Sequence, residues 1–171
     1  MSLPLSRNTS YAASSPVKSA DLNDMQDCVI GGKHGQKYLA IPAAAARWDS
    51  GWSFAGNGNR IISSGAAIVY FPIPACVGDE IGDLVVYHYG DGAADIDAID
   101  LYKVAPLPSG AQTSMNTSGS ATVTNPPASV VAKVVGVDNF VLASGENAMV
   151  RISVTAANIR LYGLMIGITR P

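Results

Sequence analysis

A chain of 171 residues is the length of one domain and can bury a sizeable core. Apolar residues make up 48% of it and charged residues only 14%, against roughly 25% in an average soluble domain. The net charge of −2 gives no electrostatic footing for nucleic acid, and no apolar run approaches the ~20 residues that would cross a bilayer. So little charge beside so much apolar surface calls for cover, and other protein chains are the expected cover.

The opening stretch, MSLPLSRNTSYAASSPVK, has no helical or strand periodicity and reads as an extended arm, ordered only against a partner. It lacks the continuous apolar segment of a secretory signal, so the chain is expected to stay in the cytoplasm where it is made. Ser19 then reads as an N-cap, with Asp21 and Asp24 in the first turns, where the helix dipole favours negative charge. Leu22, Met25 and Val29 share one face of ADLNDMQDCVI, and Gly31-Gly32 end it. This short helix is marginal alone and too brief for a coiled coil, so it must dock.

After Gly35 the pattern changes to strands and turns, expected at 37–42, 60–64, 66–73, 82–89, 96–104, 129–135, 138–142, 147–155 and 158–169. Turn formers such as Gly56-Asn57-Gly58-Asn59, Gly90-Asp91-Gly92 and Ser144-Gly145 separate them. The class expected is all-β, an antiparallel sandwich or barrel. Residues 1–35 form the arm and helix, and 36–171 the β domain. One segment, 105–128, is rich in Pro, Ser, Thr and Gly and too long for a hairpin loop; it reads as a surface loop or a contact loop.

Alternation distinguishes strands with one wet face from strands covered on both. Ala148, Val150, Ile152 and Val154 alternate with Arg151, Ser153 and Thr155, so that strand has one face on the core. In the closing strand, by contrast, Ile159, Leu161 and Met165 hold one parity, and Tyr162, Leu164, Ile166 and Ile168 the other. Ile68 and Tyr70 oppose Val69 and Phe71, and Leu84 and Val86 oppose Val85, Tyr87 and Tyr89. A sandwich covers one face of each sheet, so the second faces need another cover: self-association through Val69, Phe71, Tyr87, Tyr89, Tyr162, Leu164 and Ile166 is the expectation, and cover by residues 1–35 and 105–128 of the same chain is the alternative.

The most chemical stretch, DLVVYHYGDGAADIDAIDLYKV (83–104), groups His88 with Asp91, Asp95, Asp97 and Asp100. It reads as a hairpin turning at Gly90-Asp91-Gly92, with its carboxylates on different faces; it has neither the D-x-D-x-D-G pattern nor the Glu of an EF-hand, though a loose Ca²⁺ at Asp91, Asp95 and Asp97 stays open. His34 and His88 are isolated, and Cys28 and Cys76 form no CxxC pair and are expected as reduced, partly buried thiols, so no metal is expected. The two glutamates, Glu80 and Glu146, each sit beside a turn glycine, which argues against a glycosidase pair. With no GxSxG, P-loop or dinucleotide motif, no catalytic residue, no cofactor and no enzyme activity are expected. Trp48, Trp52 and Phe54 in RWDSGWSFAG are either a core anchor or a platform for stacking a host surface glycan.

The arm, the KSADLNDMQDCVIGG helix and the closing IRLYGLMIGITRP strand together resemble accessory virion proteins of tailed bacteriophages: head-decoration proteins, head fibres and receptor-binding tips with a jelly-roll head like that of tumour necrosis factor. The resemblance implies a homotrimeric β-sandwich of jelly-roll-like form that projects from the virion. It implies attachment to a major capsid or other virion protein through the arm, with Leu3, Leu5, Tyr11, Leu22, Met25 and Val29 as the apolar contacts. The small size and lack of a shaft favour a capsid decoration or head-fibre protein, assembled in the host cytoplasm. The alternative is a tail or baseplate tip that binds host glycans, using 105–128 and Trp48–Phe54.

Overall fold

The computed structural model describes residues 34–170, and the expected arm, helix and attachment residues of 1–33 lie outside them. In chain order the strands are β1 (His34–Pro42), β2 (Trp52–Ala55), β3 (Arg60–Ser63), β4 (Ala67–Ile73), β5 (Glu80–Tyr89) and β6 (Ile96–Val104). They continue as β7 (Gln112–Ser114), β8 (Ala121–Val123), β9 (Val131–Val135), β10 (Phe140–Val141), β11 (Asn147–Val154) and β12 (Arg160–Arg170). One sheet of seven runs β10-β5-β12-β3-β2, with β9 also on β5 and β1 also on β12; the other runs β4-β11-β6-β7, with β8 also on β6. All the pairings between these strands are antiparallel. The chain is an antiparallel β-sandwich.

Its core lies between the sheets. The seven-stranded sheet contributes Ile61, Leu84, Val86, Leu161, Leu164 and Ile166, and the five-stranded sheet Val69, Phe71, Ile99, Leu101, Val150 and Ile152, all buried. β11 alternates as its sequence requires, with Ala148, Val150, Ile152 and Val154 inward. That burial, at ~25 cal/mol per Å² of apolar surface, is the main stabilising contribution to the fold.

Three of the β-bulges redirect core side chains. In β12 the register to β5 passes from Leu161↔His88 to Gly163↔Tyr87, which leaves Tyr162 as the extra residue. In β5 it passes from Leu84↔Ile166 to Gly82↔Gly167, leaving Asp83 extra. In β6 it passes from Ala98↔Ser153 to Ile96↔Val154, leaving Asp97 extra. An extra residue reverses which parity faces inward. Leu161 and Leu164, Ile81 and Leu84, and Ile96 and Ile99 therefore all reach the same core.

The 83–104 segment is not a hairpin, because β5 and β6 belong to different sheets. Gly90-Asp91-Gly92 does reverse the chain, but both strands carry a core face, so they oppose each other across the sandwich. The crossing is fixed from outside by the 105–128 segment: Gly90 and Gly92 N–H donate to the Pro127 and Pro126 carbonyls at 3.0 and 3.1 Å. That segment is itself ordered by β7 and β8 on the edge of β6 and by buried Asn116. The Asn116 amide donates to Ile99 O (2.8 Å) and Gly119 O (3.0 Å), and its carbonyl accepts the Leu101 N–H (3.0 Å).

Candidate functional site: the outer faces of the two sheets

The structure divides the seven residues expected at a self-association surface. Val69, Phe71, Leu164 and Ile166 are at most 2% exposed, packed in the core of their own chain. They cannot meet a partner, and that part of the expectation is corrected. The reason differs by strand. On β4 the core parity is Val69, Phe71 and Ile73, while Ile68 and Tyr70 face out. On β12 the Tyr162 bulge turns Leu161 and then Leu164, Ile166 and Ile168 inward and leaves Met165 on the outer face.

Tyr87, Tyr89 and Tyr162 are half-buried, with Tyr87 and Tyr89 on the outer face of the seven-stranded sheet. Here the register aligns a row across four strands: Val134 of β9, Val85 of β5, Met165 of β12 and Ala40 of β1. The next row is Ala132, Tyr87, Gly163 and Pro42. Val134 is 67% exposed and Val130, just before β9, 52%. The Tyr87 hydroxyl donates to Met165 Sδ at 3.3 Å, and Arg160 lies 4.4 Å over the Tyr89 ring, so polar groups bound this surface without dividing it. At its other end Tyr38 donates to the Asp83 carboxylate at 3.1 Å, which raises the Tyr38 phenol pKa. Val85 shares the parity of Tyr87 and Tyr89, whereas Met165, Val134, Ala40 and Pro42 were not expected here, because membership of this face across strands depends on register and bulges.

The three aromatic residues of RWDSGWSFAG have separate fates. Residues 43–55 pass from the edge of one sheet to the other and back. Arg47 exchanges two 2.8 Å backbone bonds with Tyr70 of β4, and β2 then pairs with β3. Trp52 is buried opposite Ser63, so it is a core anchor and cannot stack on a glycan. Trp48 is half-buried and Phe54 is 52% exposed, with their rings 5.0 Å apart, edge to face. These two remain at the surface.

The carboxylates of 83–104 do not converge. Asp91 accepts from Ala93 N–H and Asn158 Nδ2, both at 3.1 Å, which depresses its pKa and ties the crossing to the β11–β12 turn. Asp95 accepts from Asn125 N–H at 2.8 Å. Asp100 is buried beside Arg151 (3.8 Å) and Asn116 (3.4 Å), while Asp97 is exposed. Among the described residues no group of three or more His, Cys, Asp or Glu side chains is placed to hold a metal ion. His88 is buried in the core, its pKa lowered by desolvation and by Lys133, and its Nδ1 has no hydrogen-bond partner. Cys76 is a free thiol and is exposed rather than partly buried.

No family model matches the chain, and none of the curated proteins is similar to it. Solved structures with a similar backbone course include a family 29 carbohydrate-binding module, a CBM29-2 mutant complexed with mannohexaose. It is 14% identical, covers 78% of this chain and 92% of its own, and has a TM-score of 0.47. An Arthrobacter globiformis T6 isomalto-dextranase complexed with panose is 15% identical over 75% of this chain and 23% of its own, with a TM-score of 0.49. The CBM22-1 xylan-binding domain of Paenibacillus barcinonensis Xyn10C is 10% identical over 82% of this chain and 92% of its own, with a TM-score of 0.43. These are likenesses of backbone course alone.

Proposed function

We propose that the chain is a non-enzymatic virion accessory protein, a capsid decoration or head-fibre protein. Its β-sandwich self-associates, as a homotrimer, and its N-terminal segment attaches it to the particle. The virion setting rests on the resemblance of the arm, helix and closing strand. The observation that carries self-association is the row Val134–Val85–Met165–Ala40, extended by Tyr87 and Pro42, on an outer face that the sandwich's own core does not use. Covering a large apolar side chain fully is worth ~1.5–3 kcal/mol, and these side chains are partly covered already, so several must be buried together. Asp91 and Asp95 hold turns and loops in place, which is a structural task.

Immunogold electron microscopy with an antibody raised against the intact chain tests this reading. Gold on the heads of tailed particles in a lysate of producing cells is the expected result. Gold on no particle refutes the virion assignment.

A second reading, a receptor-binding tip that contacts host glycans, is favoured by one observation: the Trp48–Phe54 pair stays at the surface when Trp52 does not.

A further inference from the structure

The outer face of the five-stranded sheet carries an open groove of about 660 Å³, on the other sheet from the row Val134–Val85–Met165–Ala40. Its floor is Ile68 and Tyr70 of β4 with Ser153 of β11, and Thr155 lies just beyond; Asp97, the bulge residue of β6, stands at one end and Asp49 and Ser50 form a wall. The wall is built rather than incidental. The paired backbone bonds between Arg47 and Tyr70 hang it on β4, and the Ser64 N–H donates to Gly51 O at 2.8 Å. Gly51 has φ +78°, and a Cβ there would lie 2.6 Å from Ala67 Cβ, so only glycine lets the wall approach this closely. Thr155 is fixed by accepting the Asp95 N–H at 3.0 Å.

We infer that this groove is a binding site for an uncharged sugar unit of a glycan chain. Ile68 and the Tyr70 ring offer an apolar floor for the C–H face of a pyranose, and Asp49, Asp97, Ser50 and Ser153 offer polar groups for its hydroxyls. Carboxylates are the strongest acceptors a protein has for neighbouring hydroxyl pairs. Charge narrows the class. Among the described residues two carboxylates and no cation line the groove; the nearby Arg151 is paired with Asp100, and Arg47 turns its Nη1 to Ala46 O at 3.2 Å. Anionic sugars are therefore disfavoured. The volume lies within the ~300–1,000 Å³ range of small-ligand sites and holds one or two rings.

This deepens the glycan reading by naming a site other than Trp48–Phe54, and the test separates the two. The intact chain is applied to a printed array of neutral, sialylated and sulfated oligosaccharides, and affinity for the best neutral binder is then measured by titration calorimetry. Binding to neutral glycans should fall roughly tenfold or more with Tyr70→Ala and with Asp97→Asn, while Phe54→Ala leaves it unchanged. Thermal unfolding checks Tyr70→Ala, and Asp97→Asn keeps shape at an exposed position. Neutral-glycan binding that survives both groove variants overturns the groove and leaves the glycan reading standing. A preference for sialylated or sulfated glycans also overturns the groove, and binding to no glycan overturns both.

Discussion

Leu161 and Leu164 stand three residues apart on β12, and both point into the same core, because Tyr162 is an extra residue between them. The bulge depends on Gly163, which has φ +130°, and a Cβ on it would collide with the Ile41 carbonyl of β1. Gly163→Ala is expected to lower the denaturation midpoint, with a cost of about 1–3 kcal/mol from backbone strain before the collision is counted. Chemical denaturation checks this. An unchanged midpoint would mean that β12 does not need the bulge.

Asn116 is a buried side-chain tie between the 105–128 segment and β6. Asn116→Ala leaves the Leu101 N–H and Ile99 C=O without that partner, and each unsatisfied buried group costs ~1–3 kcal/mol. The variant should be less stable and should be cut between residues 105 and 128 by a protease that spares the native chain. Equal resistance would show that β7 and β8 hold the segment by themselves.

His88 makes stability fall with acidity. Its folded pKa lies below the usual value near 6.5, first through burial and then through the Lys133 charge, so the fold favours neutral imidazole. As pH drops through about 6.5 the unfolded chain takes up a proton that the folded chain resists, and the unfolded state gains. The contribution is whole above that pH and is lost progressively down to the lower folded pKa. Melting temperatures between pH 7.5 and pH 5 should show a slope that His88→Leu reduces. A slope unchanged by His88→Leu would assign it to other groups.

Attachment is expected to separate from folding near the start of β1, since contacts divide the chain between Lys33 and His34. A chain lacking residues 1–30 should keep its β-sheet circular dichroism and no longer co-sediment with particles that retain the intact protein. Co-sedimentation at an undiminished level would remove the arm from the attachment account.

Residue order made much of this fold legible. The turn formers and short apolar runs place nine strands where strands occur, and β11 shows its buried face by simple alternation. Three strands were not legible. β7 and β8 have three residues each, inside a Pro- and Ser-rich segment, and β2 lies within an aromatic cluster that reads as a patch. Parity also fails wherever a bulge intervenes. A strand with two apolar parities reads as covered on both faces, yet the extra Tyr162 turns Leu161 and Leu164, of opposite parity, to one face. Hence Leu164 and Ile166 read as interface and pack as core, whereas Met165, half-buried on the outer face, needed the register to be found. Turn signals mark a reversal and say nothing about pairing, so Gly90-Asp91-Gly92 reads as a hairpin tip when it is a crossing between sheets.

The association of copies through the β9-β5-β12-β1 surface is tested most directly by multi-angle light scattering on the intact chain at micromolar concentration, beside the double variant Ala40→Glu and Val134→Lys. Both substitutions sit at exposed positions and leave the core untouched. The expected masses are three chains for the native protein and one for the folded variant. A native protein that runs as a single chain, or a variant that stays trimeric, contradicts it.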